Sequence, residues 1–371
     1  MPRVQAQVAE VSSQRKVLST FAGCGGSSLG YRLAGCDVRL AVEWDDNAVA
    51  TYRRNSTTPV YHENIAALTV EHALELCEGP IDILDGSPPC QGFSILGRRV
   101  LDDPRNNLFL EYVRLLGGLQ PRAFVMENVS GMVKGKMRLV FAECMRELKG
   151  CGYRVSARVL NAMHYGVPQN RQRLIFIGFR GDLGIEPSHP RAQTRAQTLR
   201  DAWGPNAGDL YEMGGRNTNV RDGLRASPSP TITKQGIGDA RRDVVLYVLS
   251  NRGGGWDGAG RDLKGSDPRG AGGERQGDIL TTGAVTDPLN YMPGPPLSGR
   301  VLKLIEKKWG THPPGGLRRL TIGELRRIAS FPDDFVFEGS WGKAWERIGN
   351  AVPPRFMEAI ARHVVGELER V

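Results

Sequence analysis

Six short β-forming runs in the first 180 residues, separated by stretches of helical periodicity, constrain this chain more than any other feature. The runs are KVLSTF (16–21), VRLAVE (38–43), IDILDG (81–86), AFVMEN (123–128), YRVSARVL (153–160) and RLIFIGF (173–179). Between them lie helix-like stretches such as NAVATYRRN (47–55) and MRLVFAECMRELKG (137–150). In the second, Met137, Val140, Phe141, Cys144, Met145 and Leu148 share one stripe, and Gly150 is a natural stop. Strands that alternate with helices predict an α/β fold with a mostly parallel sheet.

Ligands of an open α/β sheet bind beyond the carboxyl ends of its strands. The residues just past each strand are therefore informative. The first run leads into FAGCGGSSLG (21–30), the second ends in Glu43-Trp44, the third leads to GSPPCQGFS (86–94), and the fourth ends in Glu127-Asn128. A glycine loop, an acid beside an indole, a thiol and a second acid should converge on one crevice. Gly23, Gly25 and Gly26 let the backbone turn tightly and approach a ligand. Glu43 can accept ribose hydroxyls and Trp44 can stack on an adenine, as NAD or S-adenosylmethionine would need. A dinucleotide fingerprint has a glycine where this chain has Ser28, which favours S-adenosylmethionine. Pro88 and Pro89 stiffen the stem that presents Cys90. Behind it, Gly92 and Gly97 loosen a loop carrying Arg98, Arg99 and Arg105.

The texture changes after Arg180. Residues 181–318 hold 25 of the 47 glycines, and NRGGGWDGAGRDLKGSDPRGAGGERQGD (251–278) reads as flexible linker. Regular structure is expected again at LTIGELRRIASF (320–331) and in a helix over 354–368 with Phe356, Ile360, Val364 and Leu368 on one face. The net charge of +9 and pI of about 9.4 favour a polyanionic partner. No apolar run reaches the length of a membrane span, and the polar start lacks a signal peptide's apolar stretch. The six cysteines form no C-x-x-C pair, so neither a zinc site nor a disulfide framework is expected, and a cytoplasmic location is the simpler reading.

These motifs, in this order, resemble the C5-cytosine DNA methyltransferases. FAGCGGSSLG is similar to their cofactor loop, EWD (43–45) to the adenosine-binding motif, SPPCQGFS (87–94) to the catalytic motif, and MENV (126–129) to the glutamate motif. QNRQR (169–173) resembles the arginine motif; LTIGELRRIASFPDDF (320–335) and RIGNAVPP (347–354) resemble the two closing motifs. The resemblance implies a Rossmann-like, S-adenosylmethionine-dependent catalytic domain over residues 1–180, completed by 346–371. A smaller, Gly-rich target-recognition domain would span 181–345, with SPSPTITKQG (227–236) and DILTTGAV (278–285) as candidate recognition loops. It implies Cys90, Glu127, Arg171 and Arg173 as catalytic residues. The implied cofactor residues are Phe21, Ala22, Gly23, Cys24, Gly25, Gly26, Glu43, Trp44, Asn64, Ile65, Pro89, Leu108, Asn350 and Val352. One departure stands out: ENI (63–65) has Asn64 where the family usually has aspartate, and its side-chain oxygen can still accept a hydrogen bond.

The implied partner is double-stranded DNA, with a cognate restriction endonuclease acting on the same sequence. The chain is expected to work as a monomer, without metal or membrane. Cys90 would add to C6 of a flipped-out cytosine while Glu127 holds the ring. Three rivals share parts of the pattern: a tRNA-cytosine methyltransferase, an NAD-dependent oxidoreductase and a catalytically inactive DNA-binding relative. The intact Cys90, Glu127 and Arg173 set argues against the last two, and the long recognition segment favours DNA over tRNA.

Overall fold

The structure, a computed structural model, describes residues 14–89, 106–135, 137–203, 232–233, 236–237 and 320–371. Cys90, Arg98, Arg99 and Arg105 lie outside the described residues, as do most of the glycine-rich stretch and DILTTGAV.

Seven strands form one sheet: β1 (Lys16–Thr20), β2 (Asp37–Val42), β3 (Val60–Tyr61), β4 (Ile83–Gly86), β5 (Ala123–Val129), β6 (Tyr153–Asn161) and β7 (Gln172–Arg180). Their order is β3-β2-β1-β4-β5-β7-β6. Pairing is parallel from β3 through β5, and β7 runs antiparallel to both β5 and β6. The expected mostly parallel α/β sheet is present, with one reversed strand wedged between β5 and β6. Winding reverses between β1 and β4, which places the switch point at their carboxyl ends.

The early helices are α1 (Gly26–Leu33), α2 (Asp46–Asn55), α3 (Val70–Leu76), α4 (Asn106–Leu119) and α5 (Met137–Gly150). After them come α6 (Leu199–Trp203), α7 (Ile322–Ile328), α8 (Trp341–Asn350) and α9 (Pro354–Leu368), besides a pair of two-residue strands, β8 (Ile232–Thr233) and β9 (Gly236–Ile237), within and beside SPSPTITKQG. The expected helices over 137–150 and 354–368 match α5 and α9. The domain limit placed between residues 345 and 346 falls inside α8.

Side chains alternate across the strands, so the sheet has two apolar faces. Leu18, Leu84, Phe124, Met126, Leu174 and Phe176 pack on one face with residues of α3, α4 and α5. Val17, Ile83, Val125, Ile175 and Ile177 pack on the other with Tyr31 of α1 and Phe356, Ile360 and Val364 of α9. A third cluster joins Cys24 and Leu199 to Leu320, Leu325, Phe331, Phe337, Trp345 and Ile348.

Two glycines set the seat of α9. A Cβ on Gly30 would lie 2.6 Å from Met357 Cβ and 2.7 Å from the Pro354 carbonyl. One on Gly26 would lie 2.3 Å from the Val352 carbonyl. Backbone cannot yield as a flexible side chain can, so Gly30→Ala should destabilise the fold by about 1–3 kcal/mol. Urea unfolding should show a lower midpoint with an unchanged slope.

Candidate active site

β1 ends at the switch point, and Phe21 follows with φ of 53°, a left-handed conformation that a bulky residue rarely adopts. Such strain persists where the surroundings impose it. The kink directs the chain into the glycine loop. Phe21, Val42, Glu43, Trp44, Glu63, Asn64, Ile65 and Leu108 line an open cleft here. Six of these eight are among the expected cofactor residues; Val42 and Glu63 are additions. Val42 could have been found as the last residue of β2, beside the glycine loop, and Glu63 as the neighbour of Asn64.

Glu43 organises the cleft. Its Oε2 accepts the Gly23 amide at 2.8 Å, and its Oε1 accepts the Trp44 and Asp45 amides at 2.9 Å each. A carboxylate has about four acceptor sites. Three backbone donors leave about one for an outside hydroxyl, fewer than the pair expected from sequence. The Trp44 side chain is 63% exposed, an indole face left open on the rim. Asn64 caps the short turn Ile65–Ala67, its Oδ1 accepting the Ala66 amide at 3.0 Å. Arg114 of α4 supports that turn by donating to the carbonyls of Ile65 and Leu68. Sequence reasoning missed Arg114, and nothing in its local sequence marks it.

The remaining cofactor candidates divide between loop and core. Ala22 packs with Ala41 and Tyr52, while the Cys24 thiol is buried and lies 3.8 Å from the Arg347 carbonyl. Val352 meets Gly26 through its carbonyl, and Asn350 is exposed at the end of α8. Asp45, the N-cap of α2, pairs with Arg347 of α8 at 3.1 Å across 302 residues. Burial opposes the Asp45 charge, but the Ala48 amide and Arg347 outweigh it and hold the carboxyl below its ordinary range.

β4 and β5 end side by side near this cleft. Asn128 donates from Nδ2 to the Pro88 carbonyl at 3.0 Å, tying the end of β5 to the stem that carries Pro89. Arg173 Nε lies 2.7 Å from Glu127 Oε1, and both side chains are nearly buried, 15% and 12% exposed. The register explains the contact: Glu127 is opposite Ile175 and Val129 opposite Arg173, so the two charged residues are diagonal neighbours on one face. Arg171 points elsewhere. It is 2% exposed and donates to the carbonyls of Gly349 and Ala351 at 3.0 and 2.9 Å. Burial, and then the Arg173 charge, pull its guanidinium down to about 9, still charged at neutral pH. Arg171 therefore secures the RIGNAVPP segment, while Arg173 faces the acid.

Four of the described cysteines are poor thiolates. Burial pushes Cys24 up to about 12 and Cys36 and Cys77 to about 11, and raises Cys151.

The sheet order, with a cleft beside its switch point, is that of a Rossmann-like fold. The sequence profile of the C-5 cytosine-specific DNA methylases matches residues 15–366, and the chain belongs to that family. The Type II methyltransferase M1.HphI of Haemophilus parahaemolyticus is 31% identical over 372 residues, covering 94% of this chain and 86% of that protein. M.NgoPII of Neisseria gonorrhoeae is 30% identical over 362 residues, covering 96% of each. Among solved structures, a protein described as a DNA modification methyltransferase encoded within an E. coli prophage superposes with a TM-score of 0.63 at 25% identity, covering 96% of this chain and 100% of that one. The S. pombe Dnmt2 methyltransferase shares the fold at 16% identity, with a TM-score of 0.59 and coverage of 96% and 99%.

Arg171→Lys should separate the two arginines. A lysine cannot span both carbonyls, and a lost charged hydrogen bond costs about 1.5–3 kcal/mol. Hydrogen exchange should show faster opening of residues 347–354, with the sheet unaffected.

Proposed function

We propose that this enzyme transfers a methyl group from S-adenosylmethionine to C5 of a flipped-out cytosine in a specific duplex DNA sequence, through a covalent bond between Cys90 and C6. The observation that carries the reading is the Arg173–Glu127 pair at 2.7 Å, set beside a strand end tied to Pro88. It puts an oriented carboxylate next to the stem of the only cysteine preceded by proline.

The cleft suits the cofactor. Trp44 offers a stacking face for the adenine, the free acceptor site of Glu43 a partner for one ribose hydroxyl, and the Asn64–Ile65 turn polar groups for the base edge. Bound there, S-adenosylmethionine supplies an electrophilic methyl group on a sulfonium.

Cytosine C5 is too weak a nucleophile to take that methyl unaided. The Cys90 thiolate forms the S–C6 bond, and the displaced π electrons make C5 nucleophilic. Glu127, fixed by Arg173, hydrogen-bonds N3 and the exocyclic amine and supports a proton on N3 as charge grows there. After C5 gains the methyl, a base removes the C5 proton, the double bond re-forms, and Cys90 leaves as thiolate. A stacked cytosine is out of reach of these groups, so the target leaves the duplex. Residues within 181–318 read the sequence as a separable small domain. As with its Type II relatives, a cognate endonuclease acting on the same sequence is the expected partner. Among the described residues no helix is long and apolar enough to cross a membrane.

Duplex DNA bearing 5-fluorocytosine at the target tests the chemistry. Fluorine cannot leave as a proton does, so a covalent adduct should survive denaturing electrophoresis and require S-adenosylmethionine. Cys90→Ser should abolish it. Glu127→Gln should slow it by roughly 10²–10⁴-fold, the usual weight of general acid–base help. Adduct formation by the serine variant, or mapping to Cys24, would sink the proposal.

Calorimetry tests the cofactor cleft. Glu43→Ala loses the hydroxyl acceptor and unpins three amides, so S-adenosylmethionine affinity should fall about 10- to 100-fold. Unchanged affinity would remove Glu43 from the site.

A further inference from the structure

Asp85 is a buried acid that the chemistry above leaves without a task. It is the penultimate residue of β4, one before Gly86, and its residue exposure is 3%. Its Oδ2 accepts the hydroxyls of Ser19 at 3.0 Å and Ser27 at 2.6 Å. Ser27 stands in the first turn of α1, directly after the glycine loop. Thr20 donates to the Asp85 carbonyl at 2.8 Å. Strand alternation puts Asp85 on the face of Ile83 and Val125, and therefore on the face of Glu127 two residues beyond Val125. Ser19, Asp85, Glu127 and Arg173 thus form one polar row across β1, β4, β5 and β7, above the apolar layer.

Each group packed around Asp85 is neutral or negative. Ser27 and Tyr31 face it from α1, Ser19 from β1, Tyr112 from α4 and Glu127 from β5; Arg173 is spent on Glu127. Burial pushes the carboxyl up to about 7 against the hydrogen bonds of Ser27 and Ser19, and the Glu127 charge adds to the rise. The folded chain holds this proton more tightly than the unfolded chain does. Ionising Asp85 therefore costs stability, a cost absent below 3.8 and fully present above about 7. An asparagine would fill the same space without that cost. A group that weakens the fold where the enzyme works is explained by the site.

We propose that Asp85 is a positioning residue for methyl transfer: its carboxylate fixes Ser27 at the glycine loop and, by like-charge repulsion along the row, keeps Glu127 against Arg173. The inference rests on Glu127 acting on the ring. If Glu127→Gln turns over as wild type, that reading fails; the profile of Asp85→Asn decides the inference separately.

The experiment measures single-turnover methyl transfer from labelled S-adenosylmethionine to unmethylated plasmid DNA, together with Tm, for wild type and Asp85→Asn between pH 6 and pH 8.5. Asparagine keeps an acceptor oxygen for both serines but is always neutral. At pH 8 the variant should be slower by roughly tenfold, the effect of turning two charge-assisted hydrogen bonds into neutral ones. It should also melt higher, by on the order of 5 °C. At pH 6, where wild-type Asp85 carries its proton, the two rates should converge. A deficit equal at both pH values, or a variant both slower and less stable at pH 8, would mean a packing role and overturn the proposal. If Asp85→Asn does not fold, Ser27→Ala serves instead. It removes a hydrogen bond to the ionised carboxyl, so the midpoint of the acid-side loss of rate should move up in pH; an unmoved midpoint overturns the proposal.

Discussion

The close approach of α9 to α1 governs the rest of the molecule. Gly26 and Gly30 leave no room for a Cβ, so the Val352 and Pro354 carbonyls come against the first helix. That contact seats residues from the end of the chain beside the glycine loop at its start. Arg171 then reaches the carbonyls on the near side of the same turn, and Arg347 reaches Asp45. Three elements far apart in sequence are locked at one point, and the cleft lies beside it. Charge supports the lock, but the absence of two side chains permits it.

The site itself is built in layers. Apolar residues fill both faces of the sheet up to the last turn of each strand, where polar groups replace them. On the α1 side the replacement is a row of hydroxyl, acid, acid and guanidinium. Burial makes each of these groups expensive unless partnered. The partners are therefore specific: amides for Glu43, hydroxyls for Asp85, a guanidinium for Glu127. Partners already in place before a ligand arrives lower the ordering cost of binding.

Much of this was legible in the sequence, for a definite reason. The central strands are buried on both sides, so their apolar runs are continuous, and KVLSTF, IDILDG and AFVMEN each locate a strand to within two residues. β3, only Val60–Tyr61, carries too few residues to show a pattern. The reversal of β7 is also hidden, because insertion between β5 and β6 depends on contacts across the sheet. Strand-end logic pointed to the loop entered at Phe21 and to Glu43-Trp44, the family resemblance added Asn64, Ile65 and Leu108, and all six line one cleft. It could not show that three backbone amides already occupy most of Glu43, since loop geometry decides that. Nor could it separate Arg171 from Arg173: two residues apart, one enters a buried carbonyl nest and the other meets an acid.

The lock between the two ends of the chain also bears on how the protein is made. The Val352–Gly26 contact joins residues 326 positions apart, and the Arg347–Asp45 pair joins residues 302 apart. Native contacts of such separation form late, because their loop entropy must be overcome first. During synthesis the glycine loop emerges 326 residues before Val352, part of the segment that covers it. A nascent chain therefore carries the strands that line the cleft before the segment that covers the glycine loop. A copy cut short of Val352 therefore keeps its strand ends but leaves the glycine loop uncovered.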